Sequence, residues 1–350
     1  MALQSVPWAI GNGAHNQVEG ARLSLYASTG GRGGVMSPTD MQVSALPVPG
    51  GAVRVHTGGV VIISGYPGAS SQAYAARETS STDVEITATG SSGGRTSYLV
   101  ARVHDHQYSG EPTPASIENG PYNEYEWISQ DPRTTSLPYP VEGLAKVTQP
   151  ANTQTITQDM IEDIRQLAQP KRDQIVFGRP RIVQDDPDDN PRKVTELTVR
   201  NTTGGEYFPG GNGVSNRVDL FIPDYATRMH IEASWMGVAY EGAMNSFGTF
   251  WMEFGDEYRD RTWPGNQQWE FSTQRFAFNG TRQGAGDTAR DQWKLMDAVY
   301  VPPKLRGKTV AFVWKAGLAT NSDQGVSMDS LGGLGLRLDF AQTPIDIHTV

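Results

Sequence analysis

Residues 157–192 read TQDMIEDIRQLAQPKRDQIVFGRPRIVQDDPDDNPR, and the two long regions on either side are organised around them. Met160, Ile161, Ile164, Leu167 and Ala168 follow the spacing that paints one stripe on a helix. Thr157 suits an N-cap, Asp159 and Glu162 suit the first turn, and Pro170 ends the run. The spacing therefore predicts a linker helix. Beyond it lie the short apolar segment Ile175-Val176-Phe177 and the run Asp185–Asn190, which reads as a charged, extended connector. A lone amphipathic helix must bury its stripe on a sheet or against copies of itself. The second option makes Met160, Ile161, Ile164 and Leu167 the expected subunit contact.

Working outward, residues 1–156 predict a small β-barrel or sandwich module with short helices, and residues 194–350 an antiparallel, jelly-roll-like β-sandwich, with 157–193 as helix and linker. In the first region a helix is expected at Asn16–Ala27, with Gly30-Gly31 beyond its end. Strands are expected at Ala52–Val55, Gly59–Ile63, Asp83–Ala88, Arg95–His104, Tyr122–Ser129 and Val141–Val147. The glycine-rich stretch between Ala88 and Arg95 predicts a hairpin. In the second region Met229, Ile231, Ala233 and Trp235 alternate with polar residues, as do Leu334, Leu336, Leu338 and Phe340. Such alternation marks strands with one face in a core and one in water.

Composition sets limits. With 39 Gly and 22 Pro in 350 residues, turns and short strands are favoured over helices. No cysteine is present, which removes disulfides, thiolate metal sites and a cysteine nucleophile. The net charge of −9 carries no basic stripe interleaved with aromatics, so nucleic-acid binding is not expected. The first residues lack the basic and apolar parts of a signal peptide, and runs such as Val60–Ile63 are too short for membrane insertion.

Three stretches carry the chemistry worth weighing. Six of the eight tryptophans lie beyond residue 194, and Trp235 and Trp314 sit on the apolar sides of their strands, where core packing explains them. Trp263 and Trp269 instead frame a polar, turn-rich segment with Arg259, Arg261 and Asn266. A flat indole ringed by hydrogen-bonding groups suits a sugar ring. The plainer alternative is a lid folded over one end of the sandwich. Glu253, Asp256, Glu257 and Asp260 crowd one stretch, yet adjacent positions on a strand end point in different directions, this half offers only His230 and His348 as histidines, and no G-x-S-x-G elbow is present, so catalysis is not expected. His104-Asp105-His106 puts two imidazoles near a strand end, which reads more simply as a hydrophilic end than as a metal site, and no metal or cofactor is expected.

The segments SALPVPGGAVRVHTGGVVI (44–62), VEITATGSSGGRTSYLVARVHDHQY (84–108) and ITQDMIEDIRQLAQP (156–170) together resemble the N-terminal module of minor tail proteins of siphophages infecting actinobacteria, and more loosely the baseplate proteins at tail tips. The resemblance covers about the first half of the chain. It implies a virion component at the tail tip, a homotrimer touching other tail or baseplate proteins, with a variable C-terminal domain facing the host. A host cell-surface glycan is then the expected ligand. Two other readings stay open: a purely architectural tail protein, and a glycan-degrading enzyme.

Overall fold

The computed structural model describes residues 18–69, 71–114, 121–182, 195–210, 216–242, 244–255, 270–280, 284 and 287–345. The chain is mainly β and divides into two units, Met1–Pro170 with Thr343–Val350, and Lys171–Gln342.

The first unit holds one helix, α1 (Val18–Ser28), and ten strands among its described residues: β1 (Gly34–Val35), β2 (Val43–Ala45), β3 (Ala52–Val55), β4 (Gly58–Ile63), β5 (Ala73–Glu78), β6 (Thr82–Glu85), β7 (Arg95–Val103), β8 (Asn123–Ile128), β9 (Val141–Gln149) and β10 (Ile161–Asp163). They form three small sheets, ordered β1-β4-β5, β2-β3-β6 and β10-β9-β7-β8. Val53, Val55, Val60, Ile62, Leu99, Leu144 and Val147 fill one shared core. Helix α1 matches its expected place, and Gly31 beyond it adopts φ +74° while its N–H caps the Tyr26 carbonyl at 2.8 Å.

The expected hairpin across residues 88–95 does not form. Strand β6 pairs with β3, whereas β7 pairs with β8 and β9. The intervening loop leans on residues 150–153: Thr89 N–H donates to the Thr153 carbonyl (3.0 Å) and Asn152 N–H to the Gly90 carbonyl (3.0 Å). A glycine-rich loop permits a hairpin without choosing its strands' partners.

The linker helix is also corrected. Gln158–Met160 make one 3-10 turn, Thr157 provides no side-chain cap, and β10 then pairs antiparallel with β9. Residues beyond it stay extended: Val35 N–H donates to the Gln166 carbonyl (2.7 Å) and Ala168 N–H to the Val35 carbonyl (3.0 Å). Gly34 lets these backbones approach, since at φ +139° a Cβ would sit 2.7 Å from Ala168 N. Arg165 locks the segment. Its buried guanidinium forms a fork with Asp163 (2.9 and 2.7 Å) and donates to the carbonyls of Pro38 (3.3 Å), Asp40 and Ile345 (3.0 Å). Ile161, Ile164, Leu167 and Ala168 are buried within this unit and Met160 packs against its core, so the stripe is already covered. The expected subunit contact at Met160, Ile161, Ile164 and Leu167 is therefore replaced by packing inside the chain. The expected boundaries move as well: 157–170 belong to the first unit, and 343–345 return to it through Ile345 N–H to the Pro38 carbonyl (3.1 Å).

Glu142 on β9 shows what this core does to a carboxyl. It abuts Gly33, and burial pushes its pKa from 4.5 up to about 8. Between those values the folded chain holds a proton that the unfolded chain has released, so this group's contribution falls as pH rises, by up to about 1.4 kcal/mol per pH unit. We expect Glu142→Gln to flatten thermal stability between pH 5 and 8 (roughly the window set by those two values) and to raise the melting temperature at its upper end. An unchanged pH profile in a melting series would refute the assignment.

The second unit contains eleven strands among its described residues: β11 (Arg172–Arg179), β12 (Thr195–Leu197), β13 (Glu206–Tyr207), β14 (Arg217–Ile222), β15 (Arg228–Glu241), β16 (Ser246–Gly255), β17 (Gln274–Phe278), β18 (Thr288–Tyr300), β19 (Lys308–Leu318), β20 (Val326–Met328) and β21 (Gly333–Ala341). They make the two antiparallel sheets of a β-sandwich. In one, β15 pairs with β18 along one edge and with β21 and β20 along the other, while β11 extends β21 and β12 extends β20. In the other, β19 lies between β16 and the pair β13 and β14, and β17 extends β16.

The inner faces interlock through aromatic rings. Trp235 meets Phe250 edge-on at 5.1 Å and Trp293 stacks on Phe276 at 4.3 Å across the sheets, while Phe254 stacks on its cross-strand neighbour Phe312 at 5.6 Å within one sheet. Trp235 and Trp314 are fully buried, as their alternation predicted, and Trp235 Nε1 donates to the Phe208 carbonyl (2.9 Å). Strand β11 is the surprise. It falls in the expected linker, yet it pairs with β21 over eight residues. The acidic run Asp185–Asn190 lies outside the described residues.

Candidate functional site

Strands β11, β21, β15 and β18 lie side by side, and their register sets which outward residues meet. Four rows cross the sheet: Arg172–Ala341–Arg228–Tyr300, Gln174–Asp339–His230–Ala298, Val176–Arg337–Glu232–Met296, and Gly178–Gly335–Ser234–Lys294. The residues between them, such as Ile175, Leu338 and Ile231, turn into or against the core because side chains alternate along a strand.

The outward face is hollowed, with a volume of about 1060 Å³. Its depth follows from side-chain size: Ala341 and Ala298 are small, while Arg337, Glu232 and Met296 are long. Val176 and Met296 end the third row at opposite edges, each 71% exposed. Between them, Arg337 Nε lies 3.1 Å from Asp339 Oδ2, and Gln174 Nε2 donates to Asp339 Oδ1 at 2.6 Å. The Arg228 guanidinium sits 5.5 Å from the Tyr300 ring. Apolar edges beside hydrogen-bonding and charged groups suit a ligand with both C–H faces and hydroxyls.

A second polar cluster lies in the first unit, where α1, β5 and the end of β7 surround a hollow of about 580 Å³. Here the Asp105 carboxylate pairs with Arg22 (2.6 Å), Tyr74 Oη (2.9 Å) and Gln107 Nε2 (2.9 Å). Burial pushes the Tyr74 phenol above its ordinary pKa. His104 Nδ1 lies 2.6 Å from Glu111 and Nε2 2.6 Å from Glu124. The two imidazoles of His104-Asp105-His106 do not converge: both nitrogens of His104 face carboxylates, while His106 lies near the Tyr122 ring at 6.2 Å. Among the described residues no group of three or more His, Asp or Glu is arranged to hold a metal. This cluster ties elements together and leaves few groups for a ligand.

The third is a buried ion pair on the other sheet. Lys315 Nζ lies 2.8 Å from both carboxylate oxygens of Glu253, which also accepts a bond from Trp251 Nε1 at 2.8 Å. Both charged residues are at most 1% exposed. Burial pushes the Lys315 ammonium down to about 8 against the opposing pull of Glu253. Burial, then Glu253, also raises the carboxyl of Glu270, which faces Glu253 across an isolated bridge. Glu253 is thus engaged by a lysine and an indole inside the protein rather than poised in a groove.

The expected sugar-stacking residues Trp263, Trp269, Arg259, Arg261 and Asn266 lie outside the described residues, as do Asp256, Glu257 and Asp260. The hollow face was not anticipated. His230, Glu232, Arg337 and Asp339 read individually as wet positions of a strand, and Arg172, Gln174 and Val176 read as linker. The alternation of Ile175 and Phe177 against Gln174 and Val176 was the available signal.

No protein-family model and no curated protein matches this sequence. Among solved structures, the chain is similar to one of the infectious bursal disease virus Gx strain, with TM-score 0.23, 10% identity and coverage of 90% of this chain and 76% of that one. The VP2 subviral particle of infectious bursal disease virus gives TM-score 0.23 and 10% identity over 90% of this chain and 68% of that one. Recombinant N-glycanase F gives TM-score 0.21 and 10% identity over 75% and 89%. Scores this low transfer neither fold nor function.

Proposed function

We propose that this chain is a structural component of a bacteriophage tail tip whose C-terminal sandwich binds glycans on the host surface. The virion part rests on the resemblance of the first half to actinobacterial siphophage minor tail proteins. The glycan part rests on one observation, the hollow outward face of β11, β21, β15 and β18, lined by apolar Met296 and by the hydrogen-bonding side chains of Gln174, His230, Glu232, Arg337 and Asp339. The mechanism is binding without turnover. In the proposed homotrimer, seated on other tail or baseplate proteins, three shallow sites act together through effective concentration.

The test uses the full-length protein, fluorescently labelled and titrated with wall polysaccharide extracted from actinobacteria. Saturable binding that Met296→Asp weakens at least tenfold, with the melting temperature unchanged, is the expected result. Binding lost instead in Trp263→Ala would move the site to that loop. Absence of binding by the trimer would leave an architectural role, and release of soluble sugar would make the protein an enzyme.

A further inference from the structure

Strands β11 and β18 lie at opposite sides of one sheet. Among the described residues each pairs with a single neighbour, β11 with β21 and β18 with β15. The direction of their outer backbone groups follows from three short bonds. Gln174 N–H donates to the side chain of Asp173, Ala298 N–H to that of Asp297, and Gln292 N–H to that of Asp291, each at 2.7 Å. An N–H bonded to the carboxylate just before it lies outside the ladder, so even-numbered residues of both strands turn N–H and C=O away from the sheet. The registers agree. With odd residues of β11 bonded to β21, alternation through β21 and β15 leaves the odd residues of β18 bonded to β15.

The aspartates blunt parts of both edges, as free edges require. Between them Val176, Gly178, Met296 and Lys294 carry no such cap among the described residues. Val176 and Met296 are also the two most exposed large apolar side chains described in this unit, at 71% each. The two edges are complementary. Three antiparallel pairings separate β11 from β18, so a second copy set beside the first in the same sense brings its β18 antiparallel to β11. Continuing the rows places Val176 opposite Met296, Gly178 opposite Lys294 and Arg172 opposite Tyr300. All are even-numbered, so each pair can exchange backbone bonds, whereas a shift of one residue sets outward groups against groups already used. No row sets like charges opposite each other, and Arg179 falls on a diagonal to Asp291. The like-charged diagonal of Asp173 and Asp297 is eased by Ser272 N–H, which donates to Asp297 at 2.6 Å.

We propose that β11 of one copy pairs with β18 of the next, and that this contact closes the homotrimer proposed above. Two different surfaces meet, so the contact is heterologous and closes as a ring. Val176 and Met296 cover each other across the seam. Gln174 and Ala298 exchange their aspartate caps for carbonyls of the neighbouring chain, and the sheet runs on from copy to copy.

The chain contains no cysteine, so an engineered cross-link reads without background. The experiment oxidises the full-length double variant Val176→Cys/Met296→Cys under mild conditions. Within one chain these positions are three strand spacings apart, roughly 14 Å, too far for a disulfide. Opposed across the contact they lie about 5.5 Å apart, within its reach. The expected result is a non-reducing gel ladder of two and three chains that stops at three, with neither single variant cross-linking. Light scattering of Val176→Asp should give about one third of the wild-type mass, with an unchanged circular dichroism spectrum. A monomeric wild type, or an oligomer without cross-links, would overturn the contact. Cross-linking of Met296→Cys alone would overturn the head-to-tail order in favour of β18 paired with itself. A ladder running past three would overturn closure as a trimer. Mass and covalent linkage are read here, so the result stands apart from the glycan titration.

Discussion

Replacing Glu253 with Gln should destabilise the second unit by about 3–5 kcal/mol, because it leaves the Lys315 ammonium buried without its counter-charge. Glu270, which also pulls on Lys315, is itself driven toward the neutral form by burial and so supplies little of the charge that Glu253 provides. The comparison that identifies the mechanism is the pair of variants. Glu253→Leu with Lys315→Met should come within about 1–2 kcal/mol of the wild type, since two well-packed apolar residues avoid the desolvation that the ion pair must offset. The transition can be followed by tryptophan fluorescence, because six of the eight tryptophans lie beyond residue 194. A single variant as stable as the wild type would show that the pair contributes nothing. A double variant as unstable as the single one would show instead that the carboxylate's bond to Trp251 is the essential contact.

The second large effect is expected at Leu167, where Ala should cost the first unit about 2–5 kcal/mol and leave the oligomeric mass unchanged. Leu167 is 4% exposed, bridges Val35, and shares the core of Val35, Val60 and Ile62. Truncation leaves a cavity that the extended backbone cannot close, since both sides of the bridge are held by hydrogen bonds through Val35. Sedimentation or light scattering beside a melting curve separates the outcomes. A lower melting temperature at constant mass supports core packing, whereas dissociation without loss of stability would restore Leu167 to a subunit contact. The consequence for the proposed trimer is direct: its contacts must come from surfaces other than this stripe.

These two cases show where local pattern and long-range structure part. The stripe Met160–Ala168 satisfied helical spacing over about two and a half turns, a length at which a helix in water is marginal and tertiary packing decides. An irregular extended path buries the same side chains when a guanidinium such as that of Arg165 collects the stray carbonyls of Pro38, Asp40 and Ile345. Nothing in residues 157–170 announces those acceptors, since they lie more than a hundred residues away in either direction.

What the sequence determined by itself was the fold class and the second core. Alternation at Met229–Trp235 and Leu334–Phe340 is a period-two property of the chain, visible wherever one face of a strand is buried and the other wet. It placed Trp235 and Trp314 inside without knowledge of any neighbour. Only the tertiary structure decided which strands lie side by side: that β6 joins β3 rather than β7, that β11 leaves the linker to extend β21, and that Arg172, Arg228, Arg337 and Lys294 come to share one face. The physical reason is that pairing register is set by backbone hydrogen bonds between distant segments, and a shift of one residue would turn every one of those side chains to the other side of the sheet.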